Sequence, residues 1–188
     1  MIGEKLGHVF DKPLEGLVRK IPISPNSLTI IGFVVTLGAS IALVTDLFLG
    51  GILILLGAMF DVLDGVVARA THRVTRFGAF LDSILDRYSD ALMFLAISFN
   101  LLSNNNRTGA SLAVIALVGA FLVSYVRARA EGLGIECKVG LMERPERIIL
   151  LVLGLLTGMI MPVLWILTVL NHITAAQRIY YMRNLFGK

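Results

Sequence analysis

The chain has 188 residues, of which 56% are hydrophobic and only 16% charged, with a formal net charge of +4. A soluble domain of this size cannot hide so much apolar surface, which excludes an ordinary water-soluble fold and points to an integral membrane protein. A single cysteine, Cys137, excludes a disulfide framework and any multi-cysteine metal site within the chain.

At the start of the chain, Ile2, Leu6, Val9, Phe10, Leu14, Leu17, Val18 and Ile21 recur at helical spacing. Glu4, Lys5, Asp11, Lys12 and Glu15 interrupt them, so no signal-peptide core is present. The pattern predicts an amphipathic helix over residues 1–22, lying in the membrane interface and ended by Pro22 and Pro25. Ser24-Pro25-Asn26-Ser27 then offers a turn and a helix cap.

Six apolar segments follow, at about 27–45, 47–70, 78–102, 109–130, 145–160 and 162–182. Each is near the roughly 20 residues a membrane helix needs. The expected fold is therefore an all-α integral membrane protein: a bundle of six transmembrane helices over 27–182 behind the interfacial helix, forming one domain over 1–188. Pro162 is expected to mark the tight turn between the last two spans. Gly154 and Gly158 make a small-residue face that suits close helix packing or the seam of a homodimer.

Basic residues alternate between the two sides. Lys5, Lys12, Arg19 and Lys20 precede the first span, and Arg69, Arg73 and Arg76 lie between the second and third. Arg127, Arg129, Lys138, Arg144 and Arg147 surround the loop between the fourth and fifth, and Arg178, Arg183 and Lys188 end the chain. The opposite loops contribute Arg107 alone. By the positive-inside rule the chain is a multi-pass protein of the cell membrane with both termini cytoplasmic. No nucleic-acid partner is expected.

Chemistry gathers in one stretch: Asp61-Val-Leu-Asp64-Gly65-Val-Val-Ala68-Arg69, then Gly78-Ala-Phe-Leu-Asp82-Ser-Ile-Leu-Asp86. Asp61 and Asp64 share one helix face, as do Asp82 and Asp86. Two adjacent antiparallel helices would aim all four carboxylates at one centre. Carboxylates that close stay ionised together only with cations between them. Their oxygen chemistry suits Mg²⁺ or Mn²⁺, and a pair of such ions is the usual device for phosphoryl transfer. Interhelical salt bridges, or a Mg²⁺ channel or transporter path, are the competing readings. The cluster lies at the cytoplasmic ends of its spans, whereas a pore would distribute charge along a whole crossing.

The spacing D-x2-D-G-x2-A-R-x8-G-x3-D-x3-D is matched without departure. In this the chain resembles the CDP-alcohol phosphatidyltransferase family. The resemblance implies attack by an alcohol hydroxyl on the lipid-linked phosphorus of a CDP-lipid, with release of CMP. It implies two metal ions, Mg²⁺ or Mn²⁺, held by Asp61, Asp64, Asp82 and Asp86, and makes Asp86 also the general base. Asp64, Gly65, Arg69, Thr75 and Gly78 would contact the nucleotide. Residues 124–147 resemble more loosely the branch of the family that uses inositol phosphate. There Arg129 and Arg147, joined by Arg178 and Arg183, would bind the acceptor's phosphate. Glycerol 3-phosphate and serine are the alternative acceptors, diacylglycerol and archaeol are both open as the lipid, and a homodimer is expected.

Overall fold

The structure is a computed structural model that describes residues 24–71 and 73–187; the expected interfacial helix over 1–22 lies outside them. Ser24 accepts a hydrogen bond from the Ser27 backbone N–H and Pro25 takes the first helical position, which starts α1 (Pro25–Leu43). Asp46 accepts from the N–H groups of Phe48 and Leu49 and so caps α2 (Leu47–Ala70). Thr75 accepts from Gly78 N–H and caps α3 (Arg76–Ser103), and Asn106 does the same for α4 (Arg107–Glu131) through Gly109. A segment over 132–143 leads to α5 (Arg144–Thr157), and α6 (Ile160–Phe186) completes the order.

The turn before α6 differs from expectation. Gly158, at φ 74°, ends α5 in the left-handed conformation that glycine adopts without a steric penalty. Pro162 rides inside the first turn of α6, where a missing N–H costs nothing. The two glycines of the expected small-residue face therefore separate in role. Gly158 makes the turn, while a Cβ on Gly154 would come 2.9 Å from Val163 of α6, so that close approach is used within the chain.

Among the described residues all regular structure is helical. Among these described residues four helices are long and apolar enough to cross a membrane: α1, α2, α4 and α6. The other two miss for different reasons. α5 has 14 residues, hence a length of about 21 Å at 1.5 Å per residue. α3 has 28 residues but carries Asp82, Asp86, Arg87 and Asp90. The outward faces are greasy throughout, with Ile30, Val34, Ile41, Phe99, Trp165 and Ile179 exposed. Apolar area on that scale belongs against lipid, and the chain is a multi-pass membrane protein.

Packing runs from α1 to α2, α2 to α5, α5 to α6, α6 to α4, α4 to α3 and α3 back to α1, so the six helices close a ring. Its interior is filled by Leu43, Ile54, Phe94, Ile97, Leu151 and Leu164. The two motif helices, α2 and α3, are not a principal packing pair as expected. Each leans on α1 instead, and the gap between them receives the N-terminus of α5. That gap holds the chemistry.

Candidate active site

The first half of the motif closes α2 beside α1. A Cβ on Gly32 of α1 would stand 2.9 Å from Asp61 Oδ1 and 3.1 Å from Phe60 Cβ, so the bare glycine gives α2 room to approach at that carboxylate. Asp64, one turn on, is buried next to Thr29, and its Oδ2 has no hydrogen-bond partner. The Arg69 guanidinium folds back over Gly65, where an added Cβ would lie 3.1 Å from Nη1. Gly78 opens α3 against Asn26 of α1, with room for a Cβ only 2.9 Å from Asn26 Oδ1. Thr75 uses its hydroxyl oxygen as the cap of the same helix. The residues expected to meet a nucleotide thus surround one seam between the starts of α1 and α3 and the end of α2.

Arg144, the first residue of α5, reaches into the carboxylates. Its Nη1 lies 2.8 Å from Asp61 Oδ2 and 2.7 Å from Asp86 Oδ1, which ties the two halves of the motif together. Asp86 also receives Arg87 at 3.3 Å. Asp82 is half-buried and near enough to Asp61 and Asp64 to repel both. Among the described residues, no three such groups converge tightly enough to hold one metal ion. A guanidinium standing between Asp61 and Asp86 accounts for the spread, because it supplies the countercharge those carboxylates need. The donor set still fits a hard divalent cation: every ligand is a carboxylate oxygen, and Asp64 Oδ2 is a buried acceptor that no protein group satisfies.

Beyond Arg144 opens a cavity of about 1030 Å³. Of the motif carboxylates Asp86 lines it, together with Arg87, Arg127, Lys138, Arg144, Arg147 and Arg178, and Glu131 and Glu143 stand among these bases. One motif carboxylate and a predominantly basic lining therefore share one space.

The four arginines expected around an acceptor phosphate have separate fates. Arg147 is buried, lines the cavity, and donates from Nη2 to Asp90 Oδ2 at 2.6 Å. Arg178 lines the cavity too, but each of its nitrogens bonds protein: Nε to the Val139 carbonyl at 2.8 Å, Nη1 to the Val123 carbonyl at 2.7 Å, Nη2 to Glu143 at 3.3 Å. Arg129 and Arg183 are exposed and lie outside the cavity lining. Sequence reasoning passed over Asp90, and it counted Arg127 and Arg144 in the basic cluster of 124–147 without naming them as acceptor contacts. The stripe Asp82–Asp86–Asp90, each four residues from the last, was the one local signal for Asp90.

A model of a protein family described as CDP-alcohol phosphatidyltransferase matches residues 22–177. The archaetidylinositol phosphate synthase of Methanothermobacter thermautotrophicus is 38% identical, over 90% of this chain and 88% of its own. The phosphatidylinositol phosphate synthase of Corynebacterium glutamicum is 37% identical, over 94% and 85%. The crystal structure of the phosphatidylinositol phosphate synthase of Mycobacterium tuberculosis with CDP-DAG bound superposes with a TM-score of 0.81 at 30% identity, covering 91% of this chain and 92% of that one. The same enzyme has also been solved in complex with manganese and citrate.

Proposed function

The chain belongs to the CDP-alcohol phosphatidyltransferase family, and from that premise we propose its reaction. It is a transferase that moves a lipid-phosphate group from a CDP-activated lipid to a hydroxyl of inositol phosphate, releasing CMP. One observation carries the choice of acceptor: the cavity lined by Asp86 also has a basic wall in which Arg147 keeps Nε and Nη1 buried without protein partners. A phosphorylated alcohol seated there has an anion for those donors and a hydroxyl toward the carboxylates. Serine offers the basic wall no phosphate. The reading of the carboxylates as a Mg²⁺ conduction path gives way to family membership.

Asp61, Asp64, Asp82 and Asp86 would hold a pair of divalent cations, Mg²⁺ or Mn²⁺. Bound there, the ions would neutralise the diphosphate and stabilise charge on the departing CMP. The chain's own groups position the reactants. Gly65, Arg69, Thr75 and Gly78 receive the nucleotide at the seam beside Asp64. Asp86, facing the cavity, takes the proton from the attacking hydroxyl as the oxygen–phosphorus bond forms and the bond to CMP breaks. Arg147 holds the acceptor's phosphate. Manganese and CDP-DAG in structures of the tuberculosis enzyme support a divalent cation and a CDP-lipid donor.

The expected result in a panel of acceptors is CMP release that is at least about ten-fold faster, as kcat/KM, with inositol 1-phosphate than with glycerol 3-phosphate, inositol or serine. The panel is run with CDP-diacylglycerol and CDP-archaeol in parallel. Glycerol 3-phosphate in the lead would overturn the acceptor.

We also propose that all six helices cross the membrane, with both termini and the site on the cytoplasmic side. Ser103 and Val74 are exposed at opposite ends of α3, and the native Cys137 is buried. A membrane-impermeant thiol reagent on intact cells is expected to label Ser103→Cys and to leave Val74→Cys untouched until the membrane is opened. Labelling in the reverse order would place the site outside.

A further inference from the structure

Three aspartates rise along one face of α3 at intervals of four residues: Asp82, Asp86 and Asp90. The first two belong to the family motif. Asp90 lies one turn farther in, about 6 Å along the axis, and is fully buried. Its Oδ2 accepts from Arg147 Nη2 at 2.6 Å, in a pair whose side chains are 0% and 1% exposed. Its Oδ1 faces Arg144 Nε at 3.9 Å and makes no hydrogen bond.

A buried ion pair is weak grounds for stability, since desolvation offsets most of the attraction. The remaining geometry is what singles out this one. A guanidinium has five N–H donors in a fixed plane, and Asp90 engages it through Nη2 only. Nε and Nη1 stay buried and unpartnered on a residue that lines the cavity. Orphan donors in that setting are costly unless a ligand takes them. Arg147 also sits in the first turn of α5, where the helix dipole disfavours a cation. Glu143 and Glu146 are near in sequence, yet the balancing anion is Asp90 on another helix.

We propose that Asp90 is a positioning residue for the transfer reaction. It fixes the plane of Arg147 at the cavity wall, and it bears on Arg144 on the other side. The acceptor's phosphate is thereby held at a set distance from Asp86, one turn away on the same helix. This inference rests on the reading of the cavity as the site of a phosphorylated acceptor.

Two variants and two measurements test it, in detergent-solubilised full-length protein. Asp90→Glu keeps the charge and displaces it by one methylene, and Asp90→Asn removes the charge. Both are expected to raise the KM for inositol 1-phosphate, Asp90→Asn by about ten- to a hundred-fold and Asp90→Glu by less. The KM for CDP-lipid is expected to stay within about two-fold of the parent. Binding of inorganic phosphate, followed by calorimetry, is expected to weaken in the same order. If Asp90→Asn does not fold, Asp90→Glu carries both measurements. Unchanged acceptor KM and phosphate affinity in Asp90→Glu, or equal rises in both KM values, would overturn the positioning role. If the parent protein does not use inositol 1-phosphate yet loses inorganic-phosphate affinity in these variants, the positioning role stands and the acceptor assignment falls.

Discussion

Asp64→Asn is expected to lower CMP release by about a thousand-fold or more while leaving the protein folded. The carboxylate is buried, and its Oδ2 has no partner in the protein. Asparagine preserves its shape and removes its charge. Losing a cation ligand at a phosphoryl-transfer site forfeits several kcal/mol of transition-state stabilisation, and about 4 kcal/mol is a factor of a thousand. Stability moves the other way or not at all, because an uncompensated buried charge is itself costly. The thermal midpoint of Asp64→Asn in detergent should therefore match or exceed that of the parent. Asp61→Asn is a useful contrast. It removes one of the two carboxylates that Arg144 grips at 2.8 and 2.7 Å, so it is expected to cost stability as well as turnover. Chelation should abolish the parent's activity and Mg²⁺ or Mn²⁺ restore it. Full activity in chelator-treated, metal-free protein would remove the cations from the mechanism.

Much of the architecture is written locally. The ends of α2, α3 and α4 carry Asp46, Thr75 and Asn106 as caps, and the apolar runs between them have the length and composition of membrane helices. Local signals stop at the question of which helices touch. The motif spacing says that Asp61 and Asp64 share a face, but not that α2 and α3 stand apart on either side of α1. Arg144 counts as one more positive-inside charge until it is found bonded to a carboxylate 83 residues away. The arginines of α4 show the same limit on a smaller scale. Arg127 and Arg129 are equivalent in composition, yet two residues turn a helix by about 200°. Arg127 lines the cavity and Arg129 faces away from it. A positive-inside count registers both alike, because it reads charge per loop and is blind to helical phase.

Arg178 leads to the second large effect, and to a different outcome from the one its charge suggests. Its Nε and Nη1 bond the carbonyls of Val139 and Val123, and Nη2 meets Glu143, so its fork holds the segment over 132–143 between α4 and α6. Thr174, one turn earlier on α6, takes the Met142 N–H at 3.0 Å and pins the same segment. Glu143 then leads directly into Arg144, the residue that links the carboxylates to the cavity. Removing a buried guanidinium leaves two carbonyls without their donor and Glu143 with Arg127 alone, a loss of about 3–5 kcal/mol by analogy with broken buried pairs. Arg178→Gln is accordingly expected to lower the thermal midpoint sharply and expose 132–143 to limited proteolysis. Apparent affinity for both substrates should fall together. Arg178→Lys should not rescue it, since a single ammonium cannot reproduce three fixed bonds. Arg183→Gln, at an exposed position in the last turn of α6, should leave stability and both KM values unchanged. A stable Arg178→Gln whose sole defect is a raised acceptor KM would instead make Arg178 a direct ligand of the acceptor, with its bonds to Val123 and Val139 incidental to the fold.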